Sequence, residues 1–281
     1  MEIHEIKSGD GLRLHVREWG QSNAPPILLI HGWSQNHLCW KKQYDSRLAD
    51  EFRIVALDLR GHGMSDMPLE AEHYTDARLW ADDIAAVIQQ LRLDRPVLVG
   101  WSYGGLIMCD YLRAYGQDTI SGINFLDAAV TLGADDFGTV IGPGFFEPFA
   151  GATADDLPTN IEAMRRFVRG CVAKPLPADL HEEALCWNIV VPAKVRLAMG
   201  QREIRSDDVL SALTVPVLVS HGELDTVVLP AMAKHILATC PMAKASWFAG
   251  VAHAPHLEEP VRYNSELAEF ARGAHGLAKP N

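Results

Sequence analysis

The chain has 281 residues, of which 48% are hydrophobic and 22% charged, a composition that suits a large globular domain and excludes an intrinsically disordered chain. Its formal net charge is −11 and it contains no block of Lys or Arg, which argues against nucleic acid or an anionic membrane as the main partner. A small neutral or esterified molecule is a better match for this charge.

The first half of the sequence alternates between strand-like and helix-like segments. Two segments of alternating polarity flank a Gly-Asp-Gly turn and predict an opening β-hairpin, "EIHEIKS" and "LRLHVREW". Aliphatic runs of the kind found in buried strands follow at "PPILLIHGW", "FRIVALD", "RPVLVGW" and "ISGINFLDA". Helical periodicity is found between them, at "HLCWKKQYDSRLAD", "DARLWADDIAAVIQQLRL" and "YGGLIMCDYLRAY".

The alternation stops between residues 128 and 205. This segment begins with a stretch rich in Gly, Pro and aromatic residues and continues with two predicted helices, around "NIEAMRRFVRGCV" and "ADLHEEALCWNIV", with no strand between them. Alternation resumes with "VPVLVSHGELD", "PAMAKHILATC", "ASWFAG" and "PVRYNSELAEFARG". We therefore expect an α/β fold with a doubly wound, mostly parallel sheet, in which residues 1–127 and 206–281 form the core and residues 128–205 form a helical lid inserted after the sixth strand.

A serine stands among glycines directly after one of the predicted strands. The sequence Gly100-Trp101-Ser102-Tyr103-Gly104 fits the pattern G-x-S-x-G, and a predicted helix follows it. Such a pattern makes a tight turn that lifts the serine hydroxyl above the edge of the sheet. A loop serine that caps the next helix is the simpler interpretation, but the strand-turn-helix context favours a nucleophile.

A serine nucleophile needs a base, and the base needs a third group to orient it. His253 and His256 follow the last predicted strand, and Asp225 follows the strand before it. Taken singly, Asp225 is a turn residue and His253 a loop residue. Since the carboxyl ends of parallel strands meet at one edge of a sheet, Ser102, Asp225 and His253 together predict a catalytic triad.

Attack on a carbonyl group also needs hydrogen-bond donors for the oxyanion. The backbone N–H of Tyr103 is one candidate, because it follows the serine. The backbone N–H of Trp33 in "HGWSQ" is the other, with His31 and Gly32 shaping the turn.

Five motifs in this order resemble the α/β-hydrolase superfamily: "HGW" at 31–33, "DLRGHGMSD" at 58–66, "GWSYGG" at 100–105, "GELDTVV" at 222–228 and "AHAPHLEEP" at 252–260. The resemblance assigns the nucleophile, acid and base to Ser102, Asp225 and His253, and places the oxyanion amides at Trp33 and Tyr103. His256 falls outside the family's histidine position. Asp127, at the end of the sixth strand, is an alternative acid, because some members of the superfamily supply the acid from there.

The resemblance implies a serine hydrolase that cleaves a small carboxylic ester or lactone through an acyl-enzyme intermediate. Haloalkane dehalogenases and epoxide hydrolases use an Asp nucleophile, so Ser102 disfavours both. The motifs are also similar to cofactor-free haloperoxidases with esterase and perhydrolase activity, to the esterase that acts on pimeloyl-carrier-protein methyl ester, and to enol-lactonases and acyl-homoserine lactonases. Lyase or dioxygenase chemistry and a receptor-like binding module stay open as alternatives.

Apolar side chains of the lid, together with two residues that belong to the motifs themselves, are expected to form the substrate pocket. These residues are Gly32, Trp101, Phe137, Phe145, Phe146, Phe149 and Trp187.

No metal or organic cofactor is expected. The five cysteines are scattered and never spaced as C-x-x-C, and His181-Glu182-Glu183 departs from the zinc-binding pattern H-E-x-x-H. The opening residues have no secretory pattern and no apolar run is long enough to cross a bilayer, so we expect a cytoplasmic protein without a membrane partner. The sequence does not predict an oligomeric state.

Overall fold

The structure, a computed structural model, describes residues 1–133 and 137–277, and eight strands of this part form one sheet. The strands are β1 (Glu2–Lys7), β2 (Arg13–Trp19), β3 (Pro26–Ile30), β4 (Arg53–Leu57), β5 (Val97–Trp101), β6 (Gly122–Leu126), β7 (Val217–Gly222) and β8 (Ala243–Phe248). Their order in the sheet is β1-β2-β4-β3-β5-β6-β7-β8. Strand β2 runs antiparallel to both neighbours and the other pairs are parallel, which confirms the predicted fold class.

Helices connect the strands. They are α1 (Lys41–Tyr44), α2 (Leu48–Glu51), α3 (Glu72–Thr75), α4 (Ala77–Gln90), α5 (Gly104–Tyr115), α6 (Phe137–Val140), α7 (Pro143–Ala152), α8 (Leu157–Gly170), α9 (Ala178–Ile189), α10 (Ala193–Gly200), α11 (Asp207–Ala212), α12 (Pro230–Thr239), α13 (Pro255–Glu258) and α14 (Pro260–Ala274). Within the described residues, no helix is both long enough and apolar enough to cross a membrane.

The central strands form the core because helices cover them. Every residue of β3, β4, β5 and β6 is buried. Helix α5 packs against β5, α14 against β6 and α12 against β7. Uninterrupted aliphatic runs are stable in such strands, since a parallel sheet covered by helices has no face that meets water.

Several segments differ from the sequence prediction, among them helices α10 and α11, which were not predicted. The single helix expected at residues 37–50 is instead a 3-10 turn, His37–Trp40, followed by the short helices α1 and α2. The hydroxyl of Ser46 donates to the Gln43 carbonyl and accepts from the Leu48 amide, and such local bonds compete with helix continuation. Helix α7 forms in the Gly- and Pro-rich stretch where no element was predicted, with Pro143 in its first turn, where a missing N–H is tolerated.

Helices α6 to α10 occupy the segment between β6 and β7, which we call the helical insertion (residues 128–205). Its two ends are joined by a pair of backbone hydrogen bonds, from the Leu132 amide to the Ile204 carbonyl (2.9 Å) and from the Ile204 amide to the Leu132 carbonyl (2.8 Å). The insertion therefore leaves and re-enters the core at one place, above the carboxyl ends of β6 and β7.

Candidate active site

Ser102 lies in a strained turn between β5 and α5. Its φ is +56°, in the left-handed region that non-glycine residues seldom adopt. The Ser102 amide donates to the Leu126 carbonyl at the end of β6, and the Ser102 carbonyl accepts from the amides of Gly105 and Ala129. These bonds hold a backbone conformation that costs free energy, a feature that is concentrated at functional sites.

The turn requires glycine because other backbone segments pass close to it. A Cβ atom on Gly104 would lie 2.4 Å from the Ile30 carbonyl oxygen. A Cβ atom on Gly32 would lie 2.9 Å from the Ser102 Cβ. The loop after β3 is thus packed directly against Ser102, as expected for a loop that shapes the space around a nucleophile.

Asp225 and His253 form a buried hydrogen-bonded pair. The His253 Nδ1 atom is 2.7 Å from the Asp225 Oδ2 atom, and both side chains are buried. The Asp225 Oδ1 atom accepts from the amides of Val227 (2.7 Å) and Val228 (3.1 Å), which fix the carboxylate. Because the Nδ1–H of His253 donates a hydrogen bond to Asp225, the Nε2 atom on the opposite side of the ring carries a lone pair.

The surroundings of His253 favour the neutral imidazole. Burial lowers the pKa of His253 to about 4. A neutral imidazole at neutral pH can accept a proton, which is what a general base must do.

Two contacts attach the His253 loop to the rest of the site. The Trp101 indole donates to the His253 carbonyl at 2.7 Å, and Trp101 is the residue before Ser102. The Glu258 carboxylate accepts from the Ala252 amide through one oxygen and from the Ala173 amide of the insertion through the other. Sequence reasoning gave Glu258 no role, although its place in the "HLEEP" motif near His253 was a usable signal.

Ser102 borders a narrow cavity of about 30 Å³ between the sheet and the insertion. The lining consists of Trp33, Ser102, Tyr103, Leu106, Ala129, Leu132, Ile141, Phe145, Phe167, Val227 and Val228. Apart from the serine hydroxyl the walls are mostly apolar, so the cavity suits an acyl group. Phe167 and the valines after Asp225 were not among the predicted pocket residues.

The predicted pocket residues fall into different places. Trp33 and Phe145 line the cavity and their rings are 5.3 Å apart, whereas Phe146, the next residue of α7, is 41% exposed and points away. Trp101 and Trp187 line a separate cavity of about 20 Å³, where the Trp187 indole donates to the Gln35 side chain. Two neighbouring residues on a helix face different directions, which explains the split between Phe145 and Phe146.

The remaining two predicted pocket residues are Phe149 and Phe137. Phe149 packs against Trp33, with ring centroids 5.9 Å apart. The side chain of Phe137 lies outside the described part of the chain. The Tyr103 hydroxyl is held away from Ser102, since it donates to the Met199 carbonyl at 3.0 Å.

The two alternatives to Asp225 and His253 have different surroundings. Asp127 accepts from the Gly222 amide at 2.8 Å, and His253 donates its hydrogen bond to Asp225 rather than to Asp127. The His256 ring packs beside Trp40 and Trp101, and neither of its nitrogens has a hydrogen-bond partner among the described residues. Burial lowers the pKa of His256 well below its ordinary value, so the ring is neutral.

Three groups of side chains in the described residues could offer three ligand atoms to a metal ion. They are His15, His37 and Asp58; Glu2, His4 and Glu18; and Asp127, Asp225 and His253. In the first group His37 is hydrogen-bonded to Asp58 at 2.8 Å, and in the second His4 is hydrogen-bonded to Glu18 at 3.0 Å. The third group contains the Asp225–His253 pair described above.

Comparison with known proteins identifies a family that the sequence matches. The sequence model of the alpha/beta hydrolase family matches residues 27–266. The chain belongs to this family. A similar solved structure is that of the esterase RhEst1 from Rhodococcus sp. ECU1013. The two sequences are 34% identical, the TM-score of the two structures is 0.92, and the match covers 98% of this chain and 100% of that one.

Curated relatives of similar length are also found. The bifunctional esterase/perhydrolase DCH of Acinetobacter calcoaceticus is 28% identical over 95% of this chain and 99% of its own length. The pimeloyl-[acyl-carrier protein] methyl ester esterase of Vibrio atlanticus is 26% identical over 94% of this chain and 99% of its own length. Relatives named as esterases therefore match more than nine tenths of the chain, and support the classification of this alpha/beta hydrolase as a hydrolytic enzyme.

Proposed function

We propose that this protein is a serine esterase that hydrolyses a small carboxylic ester through an acyl-enzyme intermediate. The observation that carries the proposal is the strained backbone of Ser102, φ +56°, at the wall of an apolar cavity. The esterase RhEst1, which matches at 34% identity, supports the same reaction class. A lactone is a cyclic ester and would be opened by the same chemistry.

The proposed reaction uses three side chains and two backbone amides. The Ser102 hydroxyl attacks the ester carbonyl while His253 Nε2 takes its proton, and Asp225 holds the Nδ1–H of the imidazolium that forms. The backbone amides of Trp33 and Tyr103 stabilise the oxyanion. His253 then gives its proton to the leaving alcohol. In the second half of the reaction His253 takes a proton from water, which attacks the acyl group, and returns that proton to the Ser102 oxygen as the acid leaves.

The cavity favours a short acyl group. A cavity of about 30 Å³ has room for about two water molecules, since one needs about 10–15 Å³. An acetyl-sized group matches this space better than a long chain does. Phe145 and Phe167 close the cavity from the insertion, so the insertion acts as a lid that moves when the ester enters.

Perhydrolysis is a second candidate, favoured by the relative DCH, which is named as an esterase and perhydrolase. In this reaction hydrogen peroxide replaces water, so that the acyl-enzyme and H2O2 give a peracid and the serine hydroxyl. The test is the appearance of peracetic acid when peroxide is added to the enzyme and an acetate ester.

Covalent labelling tests the esterase proposal. Intact-protein mass spectrometry after a fluorophosphonate should show one label on the wild type and none on Ser102→Ala, with turnover of p-nitrophenyl acetate reduced roughly 10⁴- to 10⁶-fold. The matched control is Ser121→Ala, a buried serine at the amino end of β6 whose hydroxyl donates to the Arg95 carbonyl. If the folded wild type is neither labelled nor active, the acyl-enzyme mechanism is wrong, and lyase, oxygenase or receptor functions become the leading candidates.

A further inference from the structure

Asp127 is a buried carboxyl group that the proposed reaction does not use. It follows β6 directly, its φ is +40°, and its side chain is fully buried. The Oδ1 atom accepts from the Gly222 amide at 2.8 Å. No donor among the described residues forms a hydrogen bond with the Oδ2 atom. A buried oxygen without a partner calls for an explanation.

The nearest acidic neighbour of Asp127 is Asp225. Strands β6 and β7 are adjacent, and Asp127, Asp225 and His253 each bring an atom within 4.8 Å of the other two. Asp225 accepts three hydrogen bonds, from the Val227 and Val228 amides and from His253, whereas Asp127 accepts one. Hydrogen bonds donated to a carboxylate favour its ionised form, so Asp225 is the member of the pair that ionises first.

If Asp127 and Asp225 were both ionised, no Lys or Arg of the described residues would compensate the second negative charge. Among the described residues, neither Asp127 nor Asp225 forms an ion pair with Lys or Arg. His221 faces both, but its Nε2 is hydrogen-bonded to the Val228 carbonyl at 3.0 Å, which leaves an unprotonated Nδ1 at 3.7 Å from Asp127 Oδ1. Burial lowers the pKa of His221 to about 3, so this ring is neutral. The titratable groups that face Asp127 are Cys171, His221, Asp225, His253 and Tyr263.

Two adjacent buried carboxylates without a cation cannot both stay ionised. We propose that Asp127 keeps its proton at neutral pH and donates a hydrogen bond from Oδ2 to the Asp225 carboxylate, which makes Asp127 a positioning residue for the Asp225–His253 pair. Burial and the neighbouring Asp225 charge raise the pKa of Asp127 well above its ordinary value, in agreement with this assignment. The proton explains the otherwise unpartnered oxygen.

The bond has a consequence for the proposed esterase reaction, on which this role rests. A neutral donor restrains Asp225 without adding a second negative charge beside His253. The imidazolium formed during attack by Ser102 is then stabilised by one carboxylate of fixed orientation, and the ground-state imidazole stays a neutral base.

The proton itself can be counted without an activity assay. Unfolding at pH 7 should release one more proton from the wild type than from Asp127→Asn, measured from calorimetric unfolding enthalpies in buffers of different ionisation enthalpy. The infrared difference spectrum between these two proteins should contain the C=O stretch of a neutral carboxylic acid. The matched control is Asp118→Asn, an exposed acid, which should release as many protons as the wild type. Equal proton release from wild type and Asp127→Asn, with or without a chelator of divalent cations, would overturn the proposal.

Kinetics then separate positioning from packing. Asp127→Asn keeps a donor and should retain a kcat within about tenfold of the wild type. Asp127→Leu removes the donor and should lower kcat roughly 10- to 100-fold with KM little changed, because a hydrogen bond to a charged group is lost. A Leu variant as active as the wild type would show that Asp127 does not position the pair. If Leu does not fold, the proton count and the infrared band of Asp127→Asn still decide the protonation state. They also do so if the wild type hydrolyses no ester, which would refute the proposed function separately.

Discussion

Gly32→Ala tests whether the loop after β3 sets the position of Ser102. A Cβ atom at residue 32 would lie 2.9 Å from the Ser102 Cβ and 3.2 Å from the Trp101 carbonyl oxygen. Ordinary van der Waals contacts begin at 3.4 Å, so one side of the contact must move by about 0.5 Å or more. Three backbone hydrogen bonds hold Ser102, so the movement is shared with the loop of residue 32, and either shift changes the spacing between that loop and Ser102.

A displacement of this size should lower kcat/KM strongly and reduce the stability of the fold only moderately. We expect kcat/KM for p-nitrophenyl acetate to fall about 10- to 100-fold, because misplacing a reacting group by about 1 Å can cost 10²-fold. The free energy of unfolding, measured with urea, should fall by about 1–3 kcal/mol, the usual cost of overpacking.

The control for this variant is Gly170→Ala. Gly170 ends helix α8, and a Cβ atom there would meet no atom within 4 Å. This variant should keep the wild-type kcat/KM and lose no stability, because Ala is the better helix former. A folded Gly32→Ala variant with wild-type kcat/KM would refute the argument that close packing around Ser102 controls the reaction.

Two further predictions concern the acid and the effect of pH. Asp225→Asn should lower kcat by about 10⁴-fold, because the imidazole of His253 is no longer held in the required tautomer. A loss below tenfold would indicate that Asp127, rather than Asp225, is the acid. Five buried histidines are neutral in the folded protein, because burial lowers their pKa values, to about 3 or 4 for four of them and well below the ordinary value for His256, and they bind protons when the chain unfolds below pH 6.5. The free energy of unfolding should therefore fall as the pH drops from 6.5 towards 4, by about 1.4 kcal/mol per pH unit for each histidine, partly offset by the carboxyl group of Asp127. Urea titrations at pH 7, 6 and 5 measure this, and a midpoint that does not change would contradict it. The five histidines are His31, His62, His221, His253 and His256.

The sequence predicted the sheet for a physical reason, and the same reason brings the residues of the candidate site to one edge of it. Ser102, Asp225 and the loop of His253 each follow a strand, and parallel strands bring their carboxyl ends to one edge. A local pattern followed by turn chemistry was therefore sufficient to find them, without knowledge of which strands are neighbours.

Other features depend on contacts between distant parts of the chain. The proximity of Asp127 and Asp225 requires β6 to lie beside β7, and this strand order cannot be read from local patterns. Phe145 lines the cavity and Phe146 does not, because the rotation of α7 about its axis is set by packing on α8. Helix α7 itself was not predicted, since Gly and Pro lower helix propensity and only tertiary packing offsets this.

The paired ends of the helical insertion have a consequence for protein engineering. Ser102, Asp225 and His253 all belong to the core, whereas Phe145 and Phe167 of the insertion supply part of the cavity wall. The backbone bridge between Leu132 and Ile204 brings the entry and exit of the insertion together, so it forms a natural graft junction. Exchanging the chain between these two residues for that of a relative should change the shape of the cavity and leave the proposed catalytic residues in place, so that substrate range and chemistry could be altered separately.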